Sequence, residues 1–219
     1  MSEVILILGG TKEAAELASK LVAEKPLARV ISSLAGRTKE PSPPMGEVRV
    51  GGFGGAAGLA QFIKDNHVTL LIDATHPFAK NISQNAQRAA AETGVRFQTL
   101  TRQPWEKQHG DQWIEVPDLV QARDKIPVGA RVLLALGSQH IDLFKTRNDV
   151  HFLVRMVDAP PVPPALPNHV LEIGKPGDLA HERELLMRHE ITHIVCRNSG
   201  GQGAYAKIEA ARELYCVMD

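Results

Sequence analysis

Two cysteines, Cys196 and Cys216, are all that 219 residues contain. That is too few for a disulfide framework and suits a reducing cytoplasm, where we expect the protein to work. Charge of either sign is not in excess. Lys and Arg number 25, Asp and Glu 25, and the formal net charge is +0. This balance gives no reason to expect nucleic acid or a membrane surface as the main partner. No apolar run approaches the roughly 18 residues of a membrane-crossing helix, and no basic-then-apolar leader opens the chain. The Tyr-x-x-x-Lys pair of short-chain dehydrogenases is also missing: Tyr205 and Tyr215 are the only tyrosines, and Glu209 and Asp219 follow them four positions on. Gly137-Ser138 does not complete the G-x-S-x-G of a nucleophile elbow, so Ser138 is read as a helix cap.

What remains is an ordinary globular composition, 43% hydrophobic and 23% charged. Val4 to Leu8 is an unbroken apolar run, as in a strand buried on both faces of a parallel sheet. It stops at Gly9-Gly10, and Thr11 is placed to cap a helix beginning Lys12-Glu13-Ala14. A strand, glycine turn and helix N-terminus favour phosphate through backbone N–H groups and the helix dipole. The fingerprint G-x-G-x-x-G is not met, and such a turn also serves simply to join strand and helix.

Strand and helix then alternate along the whole chain. Expected strands are 28–33, 47–51, 68–73 and 95–100, then 113–116, 132–136, 151–157 and 193–196, with a last short strand at the end. Helices fall between them, the final one over 204–214. The pattern predicts an α/β protein of two Rossmann-like domains with mostly parallel sheets and a cleft between them. We place the domains at 1–101 and 102–219.

Several stretches could carry chemistry. Ser32-Ser33, followed by Arg37, stands where NAD-binding folds carry an acid for the ribose 2′-hydroxyl; hydroxyls and a cation suit a 2′-phosphate, hence NADPH, though an ordinary polar loop reads the same way. Asp73-Ala74-Thr75-His76-Pro77-Phe78-Ala79 lies at a strand's carboxyl end, where open sheets bind ligands. There Thr75 is expected to cap a helix whose first turn holds Pro77. His189-Glu190-Ile191-Thr192-His193 spells a zinc-protease motif, but β-branched residues lead straight into an apolar strand, so the pattern spans a helix end and no metal site is expected. Asn198-Ser199-Gly200-Gly201 is a second glycine turn, flanked by Arg197 and Lys207, able to hold carboxylates or phosphates.

Taken in order, Gly9-Gly10-Thr11-x-Glu13-Ala14, Gly51-Gly52-Phe53-Gly54-Gly55, Asp73 to Ala79, Arg102 with Trp105, and Asn198 to Gly201 with Lys207 closely resemble the precorrin-6A reductase family of cobalamin biosynthesis, over essentially the full length. Two departures are Arg197, where members often carry Lys, and the end at Asp219 without Arg-Pro. The resemblance implies hydride transfer from NADPH to the C18–C19 double bond of precorrin-6A, giving precorrin-6B. It implies a cofactor site made by Gly9, Gly10, Thr11 and Glu13, by Ser32, Ser33 and Arg37, by Gly52 and Phe53, and by Thr75, His76, Pro77 and Phe78. The polycarboxylate macrocycle would then meet Arg102, Trp105, Arg197, Asn198, Ser199, Gly200, Gly201 and Lys207. No residue is assigned as proton donor, and a monomer is expected. The alternatives are the cobalt-containing substrate of the anaerobic route and a non-catalytic NADP-binding regulatory module.

Overall fold

The computed structural model describes residues 3–35, 44–214 and 216–218. The chain divides into two compact units, Met1–Gln103 and Pro104–Asp219. Each is built on one parallel sheet.

In the first unit the strands are β1 (Val4–Leu8), β2 (Arg29–Leu34), β3 (Glu47–Val50), β4 (Leu70–Asp73) and β5 (Arg96–Thr99), ordered β3-β2-β1-β4-β5. Helices α1 (Lys12–Glu24), α2 (Ala56–Asp65) and α3 (Lys80–Thr93) connect them. The apolar run of β1 is central, and alternate residues serve opposite faces. Leu6 and Leu8 pack with Ile31, Leu59, Ala86 and Ala89 on the α2–α3 side. Ile5 and Ile7 pack with Ala14, Ala18, Val30 and Ile72 on the α1 side. Because β2 lies to one side of β1 and β4 to the other, the strand order reverses at the carboxyl end of β1, where such sheets bind ligands.

The second unit has β6 (Gln112–Trp113), β7 (Arg131–Ala135), β8 (His151–Met156), β9 (His169–Ile173), β10 (His193–Cys196) and β11 (Val217–Met218), ordered β6-β11-β10-β7-β8-β9. Every pairing in it is parallel. Helices α4 (Leu119–Lys125), α5 (Leu179–Arg188) and α6 (Ala206–Glu213) and a 3-10 stretch (Ser138–Phe144) complete it. The reversal here falls between β7 and β10.

Four local expectations are corrected. Thr75 does not cap the following helix: α3 starts only at Lys80 after Ala79, because Asp73 Oδ1 takes both the Thr75 hydroxyl (2.7 Å) and its N–H (3.1 Å). Pro77 therefore lies in the turn before the helix. The strand expected over 113–116 is only Gln112–Trp113, since β11, its one neighbour among the described residues, is itself two residues long. Ser138 opens a 3-10 stretch that has no side-chain cap. The last helix begins at Ala206, two residues later than expected, because Gln202 to Tyr205 close a turn. Strand β9, not foreseen, is an edge strand beside β8.

Candidate active site

The two stretches that matter in the first unit converge at the carboxyl end of β1 and β4. Thr11 Oγ1 accepts the Ala14 N–H (3.1 Å), capping α1, and donates to Ala74 O (3.1 Å), tying the glycine turn to the end of β4. Gly10 has φ +104°, a conformation natural to glycine, and nothing lies within 4 Å of where its β-carbon would stand. The turn thus offers bare backbone and a helix N-terminus, a combination that attracts anions. Ser32 is buried (2% exposed), and its hydroxyl has no partner among the described residues.

Glu13 sits in the first turn of α1, and Arg102 neutralises it across 2.8 Å. The facing atoms, Glu13 Oε2 and Arg102 Nη2, are misaligned for a hydrogen bond, so the contact is electrostatic. Next to this edge, Arg49 organises the loop after β3. Its guanidinium lies 3.8 Å from the Phe53 ring centroid and donates to Gly52 O (2.7 Å) and Ser33 Oγ (3.3 Å). His76 Nδ1 accepts the Phe78 N–H at 3.3 Å, and the two rings are tilted together at 5.7 Å.

The second unit builds its own edge where β7 and β10 end. Arg197, just past β10, contacts His140 in the 3-10 stretch through Nη2 and Nε2. Burial, and then the charge of Arg197, push the His140 imidazole below its usual 6.5, and burial likewise lowers Arg197. Asn198 clasps Trp105 at two points, accepting its N–H (2.7 Å) and donating to its carbonyl (2.8 Å). The indole N–H donates to Gly201 O at 2.7 Å. Gly200 and Gly201 both have positive φ, +63° and +74°, which the double turn requires. Beneath them Lys207 is buried (3% exposed), its ammonium 2.6 Å from Ala204 O and 4.7 Å from the Trp105 ring centroid. Burial lowers its pKa, against the opposing pull of the Cys196 thiol.

The family described as Precorrin-6x reductase CbiJ/CobK matches residues 4–218. The chain belongs to this precorrin-6x reductase family. It is 45% identical over 212 residues to the precorrin-6A reductase of Rhodobacter capsulatus, covering 96% of this chain and 84% of that one. It is 43% identical to the precorrin-6A reductase of Rhodococcus erythropolis, covering 96% and 85%. The solved structure of a CobK precorrin-6A reductase superposes with a TM-score of 0.92 at 42% identity, over 99% of this chain and 86% of that one. Cobalt-precorrin-6A reductase of Priestia megaterium is more distant, 26% identical over 71% of this chain and 66% of that one.

In this member of the precorrin-6x reductase family, the expected residues divide between the two edges. Gly9, Gly10, Thr11, Glu13, Ser32, Ser33, Gly52 and Phe53 stand with Thr75 to Phe78 at the carboxyl edge of the first sheet. Arg197 to Gly201 and Trp105 gather at that of the second. Arg37 lies outside the described residues. Arg102 is bound to Glu13, and Lys207 lies under its loop. The sequence reading overlooked Arg49 and His140; only the proximity of Arg49 to Gly51-Gly52 hinted at the former. His189 closes α5, Glu190 takes φ +50° and His193 opens β10, so the two imidazoles of that motif share no helix face.

Proposed function

We propose that this chain is a precorrin-6A reductase, using NADPH to reduce the C18–C19 double bond of precorrin-6A to precorrin-6B in cobalamin biosynthesis. The reading is carried by 45% identity across 96% of the chain to an enzyme named for that activity. NADPH, when bound, supplies the hydride. This chain's residues bind and orient. The first unit would receive the diphosphate on the Gly9-Gly10-Thr11 turn and the start of α1, with the Thr75–Phe78 turn alongside the nicotinamide. Three features fit a dinucleotide: the open backbone over Gly10, the Ser32 hydroxyl with no partner among the described residues, and the neutralisation of Glu13 by Arg102, which relieves a negative charge beside an incoming diphosphate.

The second unit would receive the tetrapyrrole. Arg197 offers positive charge and Trp105 a flat apolar wall at its edge. Lys207, held inside, acts on substrate carboxylates through the loop it supports. Orienting two rings and excluding water is the protein's main task in a hydride transfer. The work is that of a cytoplasmic enzyme, in keeping with the free thiols of Cys196 and Cys216.

Anaerobic incubation with precorrin-6A and NADPH, following cofactor absorbance and product mass, tests the reading. Cofactor oxidation matched by a product carrying two added hydrogen atoms is expected. Tight NADPH binding without turnover of precorrin-6A would instead identify a regulatory module, and turnover of only the cobalt-containing substrate would move the chain to the anaerobic route.

A further inference from the structure

We propose that Arg49 is the prepositioned cation that reads the 2′-phosphate of the cofactor's adenosine ribose, an assignment that rests on the NADPH reading above. Strand register carries the argument. Leu8 pairs with Ser33, and Ser33 pairs with Arg49, so the three stand abreast at the carboxyl edge of β1, β2 and β3. Gly9 N–H donates to Ser33 O at 2.9 Å, which places this row directly beside the glycine turn. In a nucleotide-binding sheet the diphosphate sits on the turn after the first strand, and the adenosine ribose reaches sideways to the end of the second. Arg49 stands one strand further along that same line.

The guanidinium is already ordered. Nη1 donates to Gly51 O and to Ser33 Oγ, Nη2 donates to Gly52 O, and the plane lies against the Phe53 ring with Phe62 behind, 5.4 Å to its centroid. These contacts engage the two terminal nitrogens of the fork, Nη1 with two acceptors and Nη2 with one. The Nε–H and the remaining Nη2 N–H, which form its side edge, have no acceptor among the described residues. That edge is the one suited to two-point binding of phosphate oxygens. No described carboxylate compensates its charge. Arg29, at the other end of the same strands, spends Nε and Nη2 on Glu47, whereas Arg49 faces no carboxylate among the described residues. A fixed cation with an open bidentate edge, beside a serine hydroxyl, fits a phosphate dianion on a ribose.

Calorimetric titration of NADPH and NADH into wild type, Arg49→Gln and Arg49→Lys tests the assignment. One charge-assisted phosphate contact is worth about one to two decades in affinity, so Arg49→Gln should weaken NADPH about 10- to 100-fold more than it weakens NADH. Arg49→Lys, keeping charge but not the fork, should fall between. Retained NADH binding also reports that the variants fold. Equal loss of both cofactors, or an NADPH preference that survives Arg49→Gln, overturns the Arg49 assignment while the NADPH reading stands. Wild-type protein binding NADH as tightly as NADPH overturns both.

Discussion

Arg155 and Glu182 hold each other inside the second unit: Arg155 Nη1 donates to both carboxylate oxygens, at 2.5 and 2.7 Å, and Glu182 also accepts the Gly177 N–H at 2.9 Å. Water scarcely reaches the pair, 8% and 0% exposed. Removing one member of a buried ion pair strands the other, at about 3–5 kcal/mol. Arg155→Met and Glu182→Leu should each lower stability by that order in urea unfolding, and the double variant should regain most of it. A double variant as unstable as the sum of the singles would mean that the two charges do not stabilise each other.

Gly58 bears on the loop that Arg49 organises. A β-carbon there would stand 1.7 Å from Phe53 O, a backbone atom that cannot swing away. Gly58→Ala should therefore displace Phe53, destabilise the first unit by roughly 1–3 kcal/mol and weaken dinucleotide binding. Gly174→Ala, with nothing within 4 Å, should stay within about 0.5 kcal/mol of wild type. Thermal unfolding of the two variants side by side makes the comparison; equal melting temperatures would contradict it.

His140 gives the second unit an acid limit. Its imidazole titrates below 6.5 when folded, held neutral by burial and by Arg197, so the unfolded chain binds the proton more readily. Stability should be fully present above pH 6.5 and fall as pH drops below it. His140→Gln should flatten that slope below pH 6.5. An unchanged slope in the variant would assign the acid sensitivity to other groups.

Lys207 and Trp105 provide a spectroscopic readout. The ammonium lies 4.7 Å from the indole centroid, a cation–π contact in a buried setting. In a Trp113→Phe background, which leaves one tryptophan, Lys207→Met should move the Trp105 emission maximum and weaken binding of the tetrapyrrole. Emission indistinguishable from the parent would place the ammonium away from the ring in solution.

The sequence exposed those parts whose cause is local. A central parallel strand is apolar throughout, so Val4–Leu8 announced itself, and Thr11 caps the next helix through its own hydroxyl. The carboxyl-edge stretches were recognisable because glycine turns and helix starts recur in order. Thr75 misled for a reason that is local too but competitive: Asp73, two residues back, captures its hydroxyl. Strand β9 escaped because His169–Ile173 is half-exposed at an edge and carries no clear alternation. Pairings such as Ser33 with Arg49, Glu13 with Arg102, or His140 with Arg197 depend on register and loop course, and no spacing in the chain encodes them.

The position of β11 has a bearing on how the protein is made. Among the described residues, strand β6, near the start of the second unit, pairs only with β11 at Val217–Met218. In the first sheet β1 already waits for β4, as Ile5 pairs with Leu70, but β6 and β11 are further apart still, Gln112 pairing with Val217. Until β11 is made, the backbone groups by which Gln112 and Trp113 face it have no strand to bond to, so this edge is the last part of the second sheet that can form.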